Sequence, residues 1–215
     1  MKQELTYQKV KADVIANGYK WFDGIMDPNL IFYRNSEEYT NAYTDTVALC
    51  WRGENGQEKI YTNSCSTKPA MYGKGSVTDP NYVDGYKAVG VIAEGQHRGV
   101  WKMSNFEKLH LGLICMSGNP HAAPSLHQVG GFQIYRDGDL DKYIDTDIEK
   151  PSYWQGFNCH YGGEGQLSYA NSGYLPWSTG CFTMTPGILF QICLILEETI
   201  KYNGDIISCT VIKNY

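Results

Sequence analysis

The sequence has no cluster of basic residues, and its 215 residues carry a net charge of −5. Lys and Arg occur singly or in pairs, so the chain lacks the positive stripe with which proteins bind a nucleic-acid backbone. This distribution of charge argues against a nucleic acid as partner.

A long apolar run is also missing, because no stretch approaches the roughly 20 residues that a membrane-spanning helix needs. The N-terminus, Met-Lys-Gln-Glu-Leu-Thr, does not have the basic and apolar regions of a secretory signal peptide. We therefore expect that the chain is synthesised in the cytoplasm and that it has no membrane-spanning segment.

Metal and disulfide patterns are equally scarce. The number of cysteines is odd, at 7, and none of them forms a Cys-x-x-Cys pair, which argues against a disulfide framework and a structural zinc site. The histidines show no metal-binding spacing on a helix, and we expect neither a metal nor a cofactor. Most of the cysteines are expected to be small buried side chains, as Cys193 and Cys209 are within apolar runs.

Tyrosine and glycine are abundant, at 17 and 23 residues, and this mix favours short strands and many turns. The length is suited to one well-buried core. We predict a mainly β (α+β) protein with an N-terminal helical segment in residues 1–26 and one larger domain in residues 27–215.

Local patterns predict where helices and strands lie. Apolar residues at helical spacing indicate an amphipathic helix in residues 7–22 and a second helix in residues 186–202, capped by Thr185 and closed by Gly204. Two β-rich runs around a Gly-Glu-Asn-Gly turn predict a hairpin. Further predicted strands cover residues 88–93, 99–103, 109–116, 131–135 and 205–212.

One cysteine has a different local sequence, a tight turn of small residues. Cys181 follows the turn Ser178-Thr179-Gly180, in which small residues leave a sulfur and nearby N–H groups accessible. Upstream, a predicted strand delivers His160 into a glycine-rich loop. Acyl-transfer chemistry through a thiol needs these parts: a nucleophile, an imidazole base and N–H groups for the oxyanion.

These residues resemble the catalytic signature of the L,D-transpeptidase family, a histidine at a strand end followed by Ser-x-Gly-Cys. The matching positions are His160, Ser178, Gly180 and Cys181. The chain is also similar to phage-encoded and bacterial proteins with this catalytic module from about Asp27 onward, through the segments 29–34, 95–99, 109–112 and 135–139. The chain departs from the family pattern at two positions. The family has histidine at the position of Thr179, and it has arginine or asparagine at the position of Thr183.

The resemblance implies a β-sandwich or barrel domain of the L,D-transpeptidase type, with one helix following the catalytic cysteine. Cys181 is the expected nucleophile and His160 the expected base, with Ser178 supporting the turn or orienting the histidine. Peptidoglycan stem peptides are the expected substrates, and hydrolysis and transpeptidation both stay open. The absence of a signal peptide favours a phage lysin or a delivered effector, acting in the cell wall or periplasm after release.

Neighbouring residues are candidates for binding the substrate, namely Tyr161, Gly162, Trp177, Thr179 and His110. The aromatic ones either line a groove or cover the β core, and His110 either faces the cleft or is structural.

Two other interpretations remain. Asp137, Asp139, Asp141 and Asp145 follow a calcium-loop spacing, but Lys142 and Ile148 replace its glycine and glutamate, which favours an acidic turn. A non-catalytic protein that binds cell wall or glycan on the same fold is the alternative function.

Overall fold

Strands dominate the structure. The computed structural model describes residues 4–37, 42–68, 90–103, 125–136, 143–144, 152–154, 156–161, 178 and 180–214. Its elements, in chain order, are α1 Tyr7–Ala16, β1 Asn29–Arg34, β2 Asp45–Arg52, β3 Glu58–Cys65, β4 Gly90–Ile92, β5 Gly95–Met103, β6 Leu126–Gln128, β7 Phe132–Arg136, β8 Ser152–Trp154, β9 Cys159–Tyr161, β10 Phe182–Met184, α2 Pro186–Asn203 and β11 Ile206–Lys213.

The strands form an eight-stranded sheet and a three-stranded sheet. The larger has the order β10-β9-β6-β5-β11-β1-β2-β3, and the smaller has the order β4-β7-β8. The larger sheet nearly closes into a barrel, because Ser66 after β3 exchanges backbone hydrogen bonds of 2.8 and 3.0 Å with Thr183 of β10. The predicted mainly β class is therefore confirmed.

The core of the larger sheet follows the two-residue alternation of its strands. Leu30 and Phe32 of β1 belong to the main core, whereas Ile31 and Tyr33 lie on the opposite face. Aromatic rings fill the main core, with the ring centroids of Phe32 and Phe182 4.5 Å apart. Helix α2 covers this core with Leu189, Ile192, Cys193 and Leu196.

Helix α1 packs on the other face of the same strands. Its Val10 and Val14 are buried against Ile31 and Tyr33. The helix ends at Ala16, because Asn17 turns its N–H back to Asp13 and Gly18 takes a positive φ of 77°. The prediction that the helix reaches residue 22 was wrong.

The second predicted helix and the hairpin are confirmed, as α2 and as β2–β3. Thr185 stands at the N-cap of α2, but its side chain makes no capping hydrogen bond, contrary to the prediction. Strand β5 starts at Gly95, before the predicted residue 99, and β1, β6, β8 and β10 were not predicted. The predicted strand 109–116 lies outside the described residues. Neither described helix combines the length and apolar character needed to cross a bilayer.

A buried ion pair anchors the segment that closes the barrel. Lys68 and Asp45 are both fully buried, and Lys68 Nζ lies 2.8 Å from Asp45 Oδ1. The other carboxylate oxygen accepts hydrogen bonds from the N–H of Thr67, at 2.9 Å, and from its hydroxyl, at 2.6 Å. Arg34 donates from Nε to the same hydroxyl and pairs with Glu94. Residues 66–68 are thereby fixed to β1 and β2.

Removing one partner of this ion pair should destabilise the protein strongly. We expect Lys68→Met to lower the free energy of unfolding by about 3 kcal/mol, because it leaves the Asp45 carboxylate buried without a counter-ion. Urea denaturation measures the change. The control is Lys201→Met, whose partner Glu198 is exposed, and which should leave the midpoint unchanged. Similar midpoints for the two variants would contradict the role given to Lys68.

Candidate functional site

Strands β9 and β10 place the segments that carry the two candidate catalytic residues side by side. They pair in parallel, with Phe182 opposite Cys159 and Thr183 opposite His160. The N–H of Phe182 donates to Asn158 O, at 3.0 Å, which extends the pairing back to the level of Cys181. His160 thus lies two residues further along β9 than Asn158, a step of roughly 6.6 Å.

His160 and Thr183 lie on the same face of this pair. The alternate residues Cys159, Phe182 and Met184 belong to the main core, so His160 and Thr183 must face away from it. Cys181 comes directly before β10, and its sulfur contacts backbone groups of Gly156 and Asn158. His160 is nevertheless only 4% exposed, and Cys181 only 5%.

Ser178 organises the turn that carries the cysteine. Its hydroxyl oxygen accepts hydrogen bonds from the N–H of Cys181, at 2.7 Å, and from the N–H of Gly180, at 3.2 Å. These are the two N–H groups that the sequence suggested for an oxyanion. In this structure an oxyanion can use them only by displacing the hydroxyl of Ser178.

Gly180 is required by the shape of the turn. Its φ is 141°, and a Cβ at this position would lie 2.1 Å from a ring carbon of Phe157 and 2.7 Å from the carbonyl oxygen of Gly90. No other residue fits both the backbone conformation and the space. The glycine therefore permits the close packing that places Cys181 beside β9.

The sulfur of Cys181 is held as a thiol by backbone groups of the preceding strand segment. The N–H of Asn158 donates to Sγ, at 3.2 Å, and the thiol donates to the carbonyl oxygen of Gly156, at 3.5 Å. Burial raises the pKa of the Cys181 thiol, although the hydrogen bonds from Asn158 and Ser178 oppose the shift. Cys181 is consequently protonated at neutral pH.

His160 is held in one tautomer by its own strand. Its Nδ1 lies 2.7 Å from the carbonyl oxygen of Tyr161, which can only accept, so Nδ1 carries the proton and Nε2 the lone pair. Burial lowers the pKa of His160 to about 4, and the ring is neutral at pH 7. We expected a backbone carbonyl or a side-chain oxygen in this role, from Ser178 or from the glycine-rich loop after His160. The structure has the backbone carbonyl of Tyr161 there, at the end of β9, while the ring of Tyr161 packs in the main core.

Comparisons with protein-family models, with curated proteins and with solved structures find no match.

Three further residues belong to the site and were missed or undervalued from sequence. Ser66 pairs with Thr183 where the two edges of the larger sheet meet, next to His160. The backbone N–H of Asn158 donates a hydrogen bond to the sulfur of Cys181. Thr183 was noted only as a departure from the family pattern. Asn158 could have been suspected from its position two residues before His160, whereas nothing local to Ser66 signals its place.

Several predicted site residues lie outside the described residues: Gly162, Trp177, Thr179 and His110. The acidic set Asp137, Asp139, Asp141 and Asp145 lies outside them too. Within the described ranges, no group of three or more His, Cys, Asp or Glu side chains could hold a metal ion.

A separate groove lies between the β2–β3 hairpin and α2. Its volume is about 490 Å³, a size typical of small-ligand sites. Apolar and polar side chains share its lining: Met26, Trp51, Glu54, Asn55, Gln57, Lys59, Leu194, Ile195 and Glu198. Met26 adopts a positive φ of 56° here, a strained conformation of the kind that often marks binding sites.

The buried neutral state of His160 makes the fold sensitive to acid. The unfolded chain takes up a proton near the ordinary pKa of 6.5, whereas the folded protein does so only at about 4. Between these values the unfolded state binds more protons, so stability falls as the pH falls. Between pH 7 and pH 4, the free energy of unfolding should therefore fall by roughly 3 kcal/mol less in His160→Gln than in the wild type.

Urea denaturation of both proteins from pH 7 to pH 4 measures the difference. Some acid sensitivity should persist in the variant, because burial also lowers the pKa of His97. Parallel pH curves for the wild type and His160→Gln would show that His160 is not buried in its neutral form.

Proposed function

We propose that the chain is a cysteine-dependent acyl-transfer enzyme of the L,D-transpeptidase type, acting on the stem peptides of bacterial peptidoglycan. The observation that carries the proposal is the β9–β10 register, which places the segments of His160 and Cys181 side by side, with Nδ1 of the histidine held by a carbonyl. A fixed tautomer and an adjacent thiol are what a cysteine nucleophile and its base require.

The reaction follows from the groups present. Nε2 of His160 takes the proton of Cys181, and the sulfur attacks an amide carbonyl of the stem peptide. The N–H groups of Gly180 and Cys181 then stabilise the oxyanion in place of the Ser178 hydroxyl. His160 returns the proton to the leaving amine, which leaves a thioester. Water or a second amine resolves it, giving hydrolysis or transpeptidation, at a site in the cell wall.

The buried thiol sets a condition on this mechanism. With Cys181 5% exposed, a peptide reaches the sulfur only after the site opens locally. The closed state described above is then the resting enzyme, and substrate binding completes the site.

The nucleophile assignment is tested by comparing two cysteines. We expect Cys181→Ala to abolish the release or exchange of stem peptides, because alanine cannot form the thioester. Mass spectrometry of muropeptides after incubation with purified peptidoglycan provides the readout. The fold should survive, since the substitution leaves only a small gap.

Cys193→Ala is the matched control. Cys193 is fully buried on the core-facing side of α2, so its loss should cost about 1 kcal/mol of stability and leave the specific activity near the wild-type value. Retained turnover in a folded Cys181→Ala protein would overturn the assignment, and equal losses in both variants would show that neither cysteine is special.

The groove beside α2 favours a second candidate function, the non-catalytic binding of glycan. The ring of Trp51 offers an apolar surface, while the amides of Asn55 and Gln57 and the carboxylate of Glu198 supply hydrogen-bonding groups. Lys59 places its Nζ 5.9 Å from the centroid of the Trp51 ring. A sugar ring with its hydroxyls matches such a mixed lining.

We expect Trp51→Ala to weaken the binding of N-acetylglucosamine oligomers by about tenfold or more, since the aromatic contact is lost. Isothermal titration calorimetry measures the affinity. Ile15→Ala, which removes an exposed apolar side chain on α1, should leave the affinity unchanged. Binding that both variants retain equally would exclude the groove as the glycan site.

A further inference from the structure

A row of buried polar side chains crosses the seam of the barrel. Ser66 pairs with Thr183, and Thr183 pairs with His160, so the three residues lie side by side on neighbouring strand segments. Residues paired in this way point to the same face. Ser66 and Thr183 are 0% exposed. The row therefore contains the candidate base, and the candidate nucleophile Cys181 lies two residues before Thr183 in the chain.

Thr183 has a hydroxyl that the described part of the chain leaves without a hydrogen bond. Its backbone is fully engaged, since both its N–H and its carbonyl bond to Ser66. Thr199 shows the usual situation: it is equally buried, and its hydroxyl donates to Leu196 O, at 2.8 Å. A buried hydroxyl without a partner is destabilising relative to valine, which has the same shape.

The row is also neutral. It consists of two hydroxyls and an uncharged imidazole, and the ammonium of Lys68, two residues after Ser66, is paired with Asp45. A carboxylate placed here would be buried without a cation, which is strongly unfavourable. A secondary amide suits the row, because it is uncharged and can either donate to or accept from a hydroxyl.

We propose that Thr183 Oγ1 is a specificity-determining group that hydrogen-bonds a backbone amide of the bound peptide next to the bond attacked by Cys181. This inference rests on the proposed function. It implies that the substrate has a neutral peptide bond at this position, within a crosslinked stem peptide. A peptide that ends there in a free carboxylate should bind more weakly.

Calorimetric titration in a Cys181→Ala background tests the inference, because the ligand then binds without being cleaved. The probes are a purified crosslinked muropeptide dimer and the monomer that carries a free carboxylate at the crosslink. Adding Thr183→Val should weaken binding of the dimer by about tenfold and raise Tm by roughly 2 to 6 °C. Thr183→Ser keeps the hydroxyl and should bind within about twofold of its parent.

Thr199→Val is the matched control, expected to lower Tm and leave the affinity for the dimer unchanged. Unchanged affinity in Thr183→Val, a lowered Tm in that variant, or tighter binding of the monomer than of the dimer would each overturn the inference. So would the absence of binding of either probe. Failure of the proposed chemistry looks different: the protein with Cys181 intact binds the dimer in a Thr183-dependent way and leaves it uncleaved.

Discussion

The pairing of Ser66 with Thr183 is the constraint on which the fold and the site both depend. Two backbone hydrogen bonds join the end of the β3 segment to β10, and Thr183 is in turn paired with His160 on β9. The seam of the barrel and the candidate chemistry therefore occupy one place. Ser66 is held there by its neighbours, since Thr67 and Lys68 both bind the buried carboxylate of Asp45. The ion pair between Lys68 and Asp45 thus fixes the segment that pairs with β10.

The parts of the fold that follow from sequence are those with local signals. The β2–β3 hairpin has a glycine turn between two strand patterns, and α2 has an apolar face long enough to show its period. Strands β6, β8 and β10 are three residues each, too short to show a period, and they exist because of pairing with distant partners. The overlong prediction for α1 has a local cause, because the turn at Asn17 and Gly18 outweighed the apolar residues beyond it.

The candidate site divides in the same way. Cys181 and His160 could be proposed as candidates because a tight glycine turn and a strand end each show in a few consecutive residues, and because those residues resemble a family signature. The closing of that turn by Ser178 follows from its position three residues before the cysteine. The place of Ser66 in the row does not, because only the closed sheet brings it to Thr183. Nor does the burial of the thiol, which sequence reasoning had expected to be accessible, since burial is set by everything packed around it.

Burial also decides the resting chemistry of the pair. Burial lowers the pKa of His160 to about 4 and raises the pKa of the Cys181 thiol above its ordinary value. Both shifts oppose the transfer of a proton from the thiol to the imidazole. In the closed state the Cys181 thiol therefore stays protonated and is a poor nucleophile. Hydration of the site reduces both shifts, because desolvation is the leading cause of each. If Cys181 is the nucleophile, the opening that admits a peptide is also the step that activates the thiol.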